Sequence, residues 1–246
     1  MLNYIRAELF RNFNRSYIWI YSGVLAMLAL MANVIVKLEN VPRMNLAVLF
    51  DACVQMIVIP VFLVIAMIDM STSEEQKNLT LKNVVSFGVS RTKIVISKLI
   101  VSSILSLVSA VIILVVFFAS GILLFGAGND TSAILDSTIR LVAALPLWIG
   151  AISVGTFLAF FFNNSTVFSF IYVGLFLGLP QILDLLATYV SKSFRPAYDI
   201  LLTTQLSNLR GKLADNTMMN SILAGGIYIV VFAVISIVYM RKKEIK

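Results

Sequence analysis

The chain has 246 residues with a net charge of +7, and it is 60% hydrophobic but only 13% charged. Soluble domains are about 45–50% apolar and about 25% charged, so this composition indicates an integral membrane protein. The absence of histidine and the single cysteine exclude histidine-based catalysis, most transition-metal sites and a disulfide within the chain, and the basic residues flank apolar runs rather than forming a nucleic-acid-binding face.

The first fifteen residues predict a short amphipathic helix. Leu2, Ile5, Leu9 and Phe13 fall near one helical face, with arginines mostly on the others. Such a helix is typical of a segment lying in the membrane interface, although an ordinary basic flank of the first span fits equally. Because these residues are polar and charged, we expect no cleavable signal peptide.

Six apolar runs are long enough to cross a bilayer, whose core needs about 20 helical residues. The runs comprise residues 18–36, 46–68, 99–125, 139–162, 167–190 and 220–240. They predict an all-α integral membrane protein with six transmembrane helices in one domain over 1–246.

Three features within these runs predict local structure. Pro60 in the second run favours a kink, because proline leaves a carbonyl without its helical donor. Gly174 and Gly178 in the fifth run predict a small-residue contact face. The third run carries serines at helical spacing, namely Ser102, Ser103, Ser106 and Ser109. Small residues of this kind favour close packing against a neighbouring helix, and a polar lining for a conduit is the alternative.

A polar stretch, residues 69–98, separates the second and third runs. Ser71 before Glu74, and Thr72 before Glu75, form overlapping capping-box patterns that predict the start of a short amphipathic helix. Gly88 is a natural stop, and Ser90 is a candidate N-cap for a helix that continues into the third run. A solvated loop is the alternative. A second polar stretch, residues 191–219, predicts one or two short helices in the opposite leaflet.

Basic residues orient the chain. In the six-span plan, both termini and residues 69–98 fall on one side of the membrane. Twelve of the 19 lysines and arginines lie on that side, and seven lie on the other. Because cytoplasmic segments are enriched in lysine and arginine, we expect both termini in the cytoplasm of a bacterial cell membrane.

The pattern Glu75, Thr80–Lys82, Gly88–Arg91 and Lys98 resembles the region after the second span of ABC-2-type transporter permeases. The resemblance covers the six-span plan of the whole chain. It implies a coupling helix that docks on an ATP-binding subunit, with residues 71–93 as the coupling region. The residues it assigns to coupling with the ATPase partner are Glu74, Glu75, Leu79, Thr80, Lys82, Val85, Ser90 and Arg91.

The resemblance also implies short helices that close the outer mouth between spans five and six. Asp51 and Asp184 are the only carboxylates within the apolar runs, both near outer ends, and a shallow, hydrated position is the favoured explanation of Asp51. The candidates for the conduit or outer gate are Asp51, Asp184, Phe194 and Tyr198.

Motifs for chemistry are missing from the chain. It has no phosphate-binding P-loop, so we expect no cofactor and no enzyme activity in this chain, with ATP–Mg on the partner. No charge lies near a span centre, which argues against ion-coupled transport. The resemblance to ABC-2 permeases implies a permease subunit that works with two ATP-binding subunits and a second permease copy, identical or a close paralogue. Within that family the chain resembles the Gram-positive lantibiotic- and bacitracin-type systems, which implies that it exports amphipathic peptides. Export of a lipid-linked or drug-like substrate, or ATP-independent sequestration of a peptide, are the alternatives.

Overall fold

The computed structural model describes residues 1–73, 81–86, 88–128, 130–162, 164–211 and 216–243, without the side chains of 81–83. This part of the chain is helical and contains no strand. The helices are α1 (Leu2–Phe13), α2 (Ser16–Leu38), α3 (Leu46–Gln55), α4 (Ile59–Ile68), α5 (Leu81–Ser86), α6 (Arg91–Phe125), α7 (Thr131–Phe161), α8 (Ser165–Leu185), α9 (Arg195–Ile200), α10 (Leu202–Asn208) and α11 (Thr217–Lys242). One π-helical turn, Asp69–Ser73, continues α4, and another, Leu186–Val190, continues α8.

Five helices of the described chain are long and apolar enough to cross a membrane, and they are α2, α6, α7, α8 with its π turn, and α11. A sixth candidate is a bent pair: α3 and the α4 segment together pass the same test but meet at 71°, as in a broken span or a re-entrant loop. The all-α prediction is therefore confirmed, with five to six candidate spans. The second predicted run is a bent pair rather than one continuous helix.

The break in the second span follows from Pro60. Residues 56–58 form a turn, in which the backbone N–H of Ile59 donates to the carbonyl of Met56 (2.9 Å) and that of Val61 to Val58 (3.1 Å). Such backbone must find partners inside a membrane protein, because lipid offers none. Trp148 of α7 donates to the carbonyl of Ile57 in this turn (2.9 Å). Two further aromatic donors contact the first turns of α4, Tyr172 at the carbonyl of Val61 (2.9 Å) and Tyr21 at that of Leu63 (2.8 Å).

Helix α7 lies at the centre of the bundle and is the most buried of the five spans. It packs closely on α11 at two glycines. A Cβ on Gly225 would lie 2.5 Å from the carbonyl carbon of Pro146, and one on Gly150 would lie 3.4 Å from the carbonyl oxygen of Gly225. Small residues therefore allow these two backbones to approach.

The predicted contact face at Gly174 and Gly178 is wrong within this chain. A Cβ at either position would meet nothing within 4 Å. Helix α8 instead buries an aromatic stripe of Phe168, Tyr172 and Phe176, at i, i+4 and i+8. Gly174 is two residues from Tyr172, so it lies about 200° around the helix and faces away from the bundle.

Helix α1 and the end of α11 lie at the same end of the bundle. Glu8 of α1 bonds to Lys98 near the start of α6, and Arg91 bonds to the backbone at the end of α11. We call this the terminal end; it comprises α1, residues 69–73, α5, the first turns of α6, residues 160–162 and 164–165, and the end of α11. The opposite end comprises residues 38–45, 126–128, 130–131 and 186–211, where Arg140 of α7 donates to the carbonyls of Leu209 (2.9 Å) and Gly211 (2.6 Å).

Candidate coupling site and outer mouth

Helix α5 lies between the second and third spans, and a glycine caps its C-terminal end. Gly88 has a φ of 81°, a region that glycine adopts without a steric penalty. Its N–H donates to the carbonyl of Val85 (3.0 Å), and the N–H of Val89 donates to that of Val84 (3.4 Å). These two bonds form a Schellman motif, so the predicted stop at Gly88 is confirmed.

A small apolar cluster lies beneath α5. Ile94 and Val95 of α6, Phe160 of α7 and Met240 of α11 are buried together there. Val84, Val85 and Val89 pack against this cluster, half-buried. The helix between spans two and three therefore rests where the ends of three spans meet.

Arg91, the first residue of α6, caps the end of α11. Its Nη1 donates to the carbonyls of Met240 (2.8 Å), Arg241 (2.9 Å) and Lys243 (2.7 Å). The last carbonyls of a helix have no helical partners and carry the negative end of its dipole, so a guanidinium is well matched to them.

Lys243 joins the end of α11 to α7. Its Nζ donates to the carbonyl of Phe160 (2.6 Å), and the loss of hydration on burial lowers the pKa of this ammonium from its ordinary value. Together with the bonds of Arg91, this contact ties the ends of α6, α7 and α11 into one unit. We call it the cationic clamp, consisting of Arg91 and Lys243 with their carbonyl acceptors.

Helix α1 is attached to α6 through buried charge. Glu8 and Lys98 are 4% and 0% exposed, and Lys98 Nζ lies 2.6 Å from Glu8 Oε2. Arg11 donates to the same oxygen at 2.8 Å. The predicted α1 is present, but the residues it buries are Ile5, Glu8 and Asn12, whereas Leu2 of the expected apolar face is exposed. The amphipathic pattern missed this because the attachment is electrostatic as well as apolar.

Hydroxyl groups join the π turn to neighbouring spans. Ser71 Oγ lies 2.6 Å from Ser102 Oγ of α6, and Ser73 Oγ lies 3.0 Å from Ser165 Oγ of α8. Ser71 and Thr72 lie in the π-helical turn that continues α4, and Glu74 and Glu75, their predicted capping-box partners, are outside the described residues. The predicted close packing of the serines is confirmed at Ser102 and at Ser109, whose Oγ is 2.9 Å from Ser22 Oγ of α2.

The predicted coupling residues fall into two groups. The side chain of Lys82 is outside the described part of the chain, as are the residues Glu74, Glu75, Leu79 and Thr80 in full. The others lie together: Val85 packs on the apolar cluster, Ser90 occupies the N-cap position of α6 without a side-chain cap bond, and Arg91 forms the clamp.

At the opposite end, one arginine brings together two of the four candidates for the outer gate. Arg195 lies 3.6 Å from Asp184, and its guanidinium lies over the Tyr198 ring at 5.0 Å; Phe194 precedes Arg195 in the sequence. The side chains of Asp184 and Arg195 are about half exposed. Asp51 is exposed on α3 and does not join this group.

An apolar cavity of about 120 Å³ adjoins this mouth. It lies between α7, α8, α10 and α11, and its walls include Val154, Phe176, Leu202, Tyr228 and Phe232. The two short helices predicted for residues 191–219 are present as α9 and α10, and α10 buries Leu202 and Leu206 against the spans.

Three residues central to these sites were not proposed from the sequence: Glu8, Arg195 and Lys243 of the cationic clamp. A signal existed for Glu8, because it is the one acidic residue among the first fifteen. For Arg195, the spacing to Asp199 at i+4 indicated an exposed ion pair, which the structure shows at 3.4 Å.

These features define a multi-pass helical membrane protein whose span ends are bound together on one side. A family model described as ABC-2 family transporter protein matches residues 4–181, from α1 through most of α8. The chain therefore belongs to the ABC-2 transporter family and is a membrane component of a transporter. Permeases of this family generally pair with an ATP-binding subunit. No curated protein matches the chain.

Proposed function

We propose that this chain is the permease subunit of an ATP-driven exporter, working as two permease copies with two ATP-binding subunits. The observation that carries the proposal is the position of α5. It lies at the terminal end, closed by a Schellman motif, on a cluster to which α6, α7 and α11 each contribute. On this proposal the terminal end faces the cytoplasm, where ATP is available.

The contacts beneath α5 support the idea that a movement of α5 is transmitted to the spans. A force on α5 meets Ile94, Phe160 and Met240, which belong to three different spans. The cationic clamp holds those span ends together through carbonyl bonds of 2.6–2.9 Å. Packed interiors transmit displacement rather than absorb it, so the three spans would move as a unit.

We further propose that the cargo is an amphipathic peptide. The apolar cavity near the mouth is lined by aliphatic and aromatic side chains, and Arg195 with Asp184 supplies polar groups next to it. A conduit of this kind would accept a molecule with one apolar and one charged face. Asp51 lies apart from this route, so we assign the outer gate to Asp184, Phe194 and Tyr198.

The coupling proposal is tested by co-expressing the chain with the ATP-binding protein encoded beside it. Arg91→Ala should insert normally but lose most of the stimulation of ATP hydrolysis, because α6 and α11 would no longer move together. Arg241→Ala is the matched control, since among the described residues its side chain makes one long bond, to Thr92 (3.3 Å), and its carbonyl remains for Arg91. Equal stimulation in the two variants would contradict the role of the clamp.

The partner contact itself is tested at Glu75, which the family pattern places in the docking segment. Glu75→Ala should reduce co-purification of the ATP-binding protein, while Glu39→Ala at the opposite end should not. A chain that stimulates no ATPase, yet transports in vesicles by itself, would overturn the exporter assignment.

Cargo is tested in inverted vesicles that contain the chain and its ATPase. ATP should drive uptake of a labelled cationic amphipathic peptide, and a scrambled peptide of equal charge without an apolar face should be taken up several-fold less. Equal uptake of both peptides, or preference for a lipid-linked glycan, would refute the peptide assignment and leave the coupling result intact.

A further inference from the structure

At the opposite end, a polar cavity opens between the ends of α2 and α6. Its volume is about 240 Å³, and it is lined by the end of α2, the loop after it and the end of α6. The lining residues are Val36, Lys37, Asn40, Val41, Arg43, Met44, Leu124 and Phe125. This cavity is separate from the outer mouth and from the coupling site.

Two cations share the cavity without an anionic partner. In the described part of the chain, neither Lys37 nor Arg43 forms an ion pair, and no carboxylate lines the cavity. Glu39 is adjacent in sequence but is not part of the wall. Two like charges in one cavity repel each other, so an anion placed between them would be attracted by both.

The loop holds these cations in a fixed arrangement. Asn40 and Arg43 have φ values of 51° and 63°, a left-handed conformation that residues other than glycine seldom adopt. Lys37 is held from the other side, with its ammonium 5.8 Å from the centre of the Phe125 ring. Left-handed residues at both ends of this short loop reverse the chain direction tightly. The reversal places Arg43 at the same cavity as Lys37.

The surface next to the cavity is apolar and could contact the acyl chains of a lipid. Val36 and Phe125 belong to its wall, and the same helix ends expose Ile35, Leu38 and Leu123, of which Leu123 is 86% exposed. A free anion would use only the two cations. A phospholipid would use both surfaces, with its phosphate at the cations and its chains along α2 and α6.

We propose that this cavity binds the headgroup of an anionic phospholipid in the leaflet at the opposite end of the bundle. Lys37 and Arg43 bind the phosphate, and the exposed side chains of α2 and α6 contact the acyl chains. Basic pockets between membrane helices are known to bind acidic headgroups, and each cation near a membrane surface adds about a fivefold factor in affinity. The site is independent of ATP and of the exported cargo.

The test uses the purified full chain in neutral detergent, exposed to equal concentrations of phosphatidylglycerol and phosphatidylcholine and examined by native mass spectrometry. The wild-type chain should retain one phosphatidylglycerol in preference to phosphatidylcholine. The Lys37→Gln/Arg43→Gln variant should lose this preference by about tenfold or more, because both phosphate contacts are removed. The charge-conserving Lys37→Arg/Arg43→Lys variant should keep it.

A matched control removes the same charge at the same end. Lys192 and Arg195 are exposed there and do not line the cavity, so Lys192→Gln/Arg195→Gln should keep the bound lipid. Should the double variant fail to fold, the single variant Lys37→Gln, at an exposed position, allows the same comparison of phosphatidylglycerol with phosphatidylcholine. Equal retention of both lipids, equal loss in the control variant, or displacement of the lipid by millimolar inorganic phosphate would each overturn the lipid site.

Discussion

The two ends of the bundle are held by different kinds of contact. At the terminal end, a buried ion pair joins α1 to α6, and the cationic clamp joins α6, α7 and α11. At the opposite end, the ion pairs of Arg195 are half exposed, and a cavity lies beside them. Buried pairs fix geometry at a high cost of disruption, whereas exposed pairs contribute little. The contrast indicates that the terminal end is held more rigidly than the opposite end.

The largest effect is expected from breaking the buried ion pair. Glu8→Ala removes a carboxylate from Lys98, which is fully buried, and should lower the free energy of unfolding by about 3 kcal/mol. Unfolding by SDS titration in mixed micelles measures it. The pairing is checked by Lys98→Met in the Glu8→Ala background, where the two losses should be strongly non-additive. Additive losses would show that the pair does not hold α1 to α6.

A steric change in the middle of the bundle ranks next. Gly225→Ala would place a methyl group against the backbone of Pro146, and should destabilise the protein by about 1–3 kcal/mol through displacement of α11 from α7. Gly226→Ala is the control one residue away, where the methyl group meets nothing within 4 Å and helix propensity favours alanine. Equal stability of both variants would contradict the close packing of α7 and α11.

The hydrogen bonds that other helices donate to the broken second span should have a smaller effect. Tyr172→Phe removes a buried hydroxyl that donates to the carbonyl of Val61, and should cost about 1–2 kcal/mol in unfolding free energy. Tyr228→Phe is the control, because the Tyr228 hydroxyl makes no hydrogen bond within the described part of the chain. A Tyr172→Phe protein as stable as wild type would show that the break at residues 56–58 needs no support from α8.

The sequence was sufficient for the helices but not for their long-range contacts. Apolar length predicted the spans, Pro60 predicted a bend in the second, and Gly88 and Ser90 predicted the end of α5 and the start of α6. Each of these depends on nearby residues. The pair of Glu8 and Lys98 joins residues 90 positions apart, and no local pattern predicts such a contact.

The same distinction explains the glycine result. Gly174 and Gly178 have the spacing of a contact face, and Gly150 and Gly225 have no spacing pattern because they lie on different helices. Only the second pair brings two backbones together. A small-residue pattern shows where another helix could pack closely. Whether another helix packs there depends on which face of the helix is turned towards the bundle. The aromatic stripe of α8 sets that orientation.

The smallest effect is expected at the outer mouth. Asp184→Asn removes the carboxylate that lies 3.6 Å from Arg195, and should change the unfolding free energy by less than about 1 kcal/mol, because both side chains are half exposed. The same SDS titration measures it beside Glu8→Ala. If opening at this end depends on the pair, a cysteine placed at exposed Ile200 should react faster with a polar thiol reagent in the Asp184→Asn protein, with Asp136→Asn of α7 as the control. A stability loss as large as that of Glu8→Ala would remove the distinction between a rigid terminal end and a loosely held mouth.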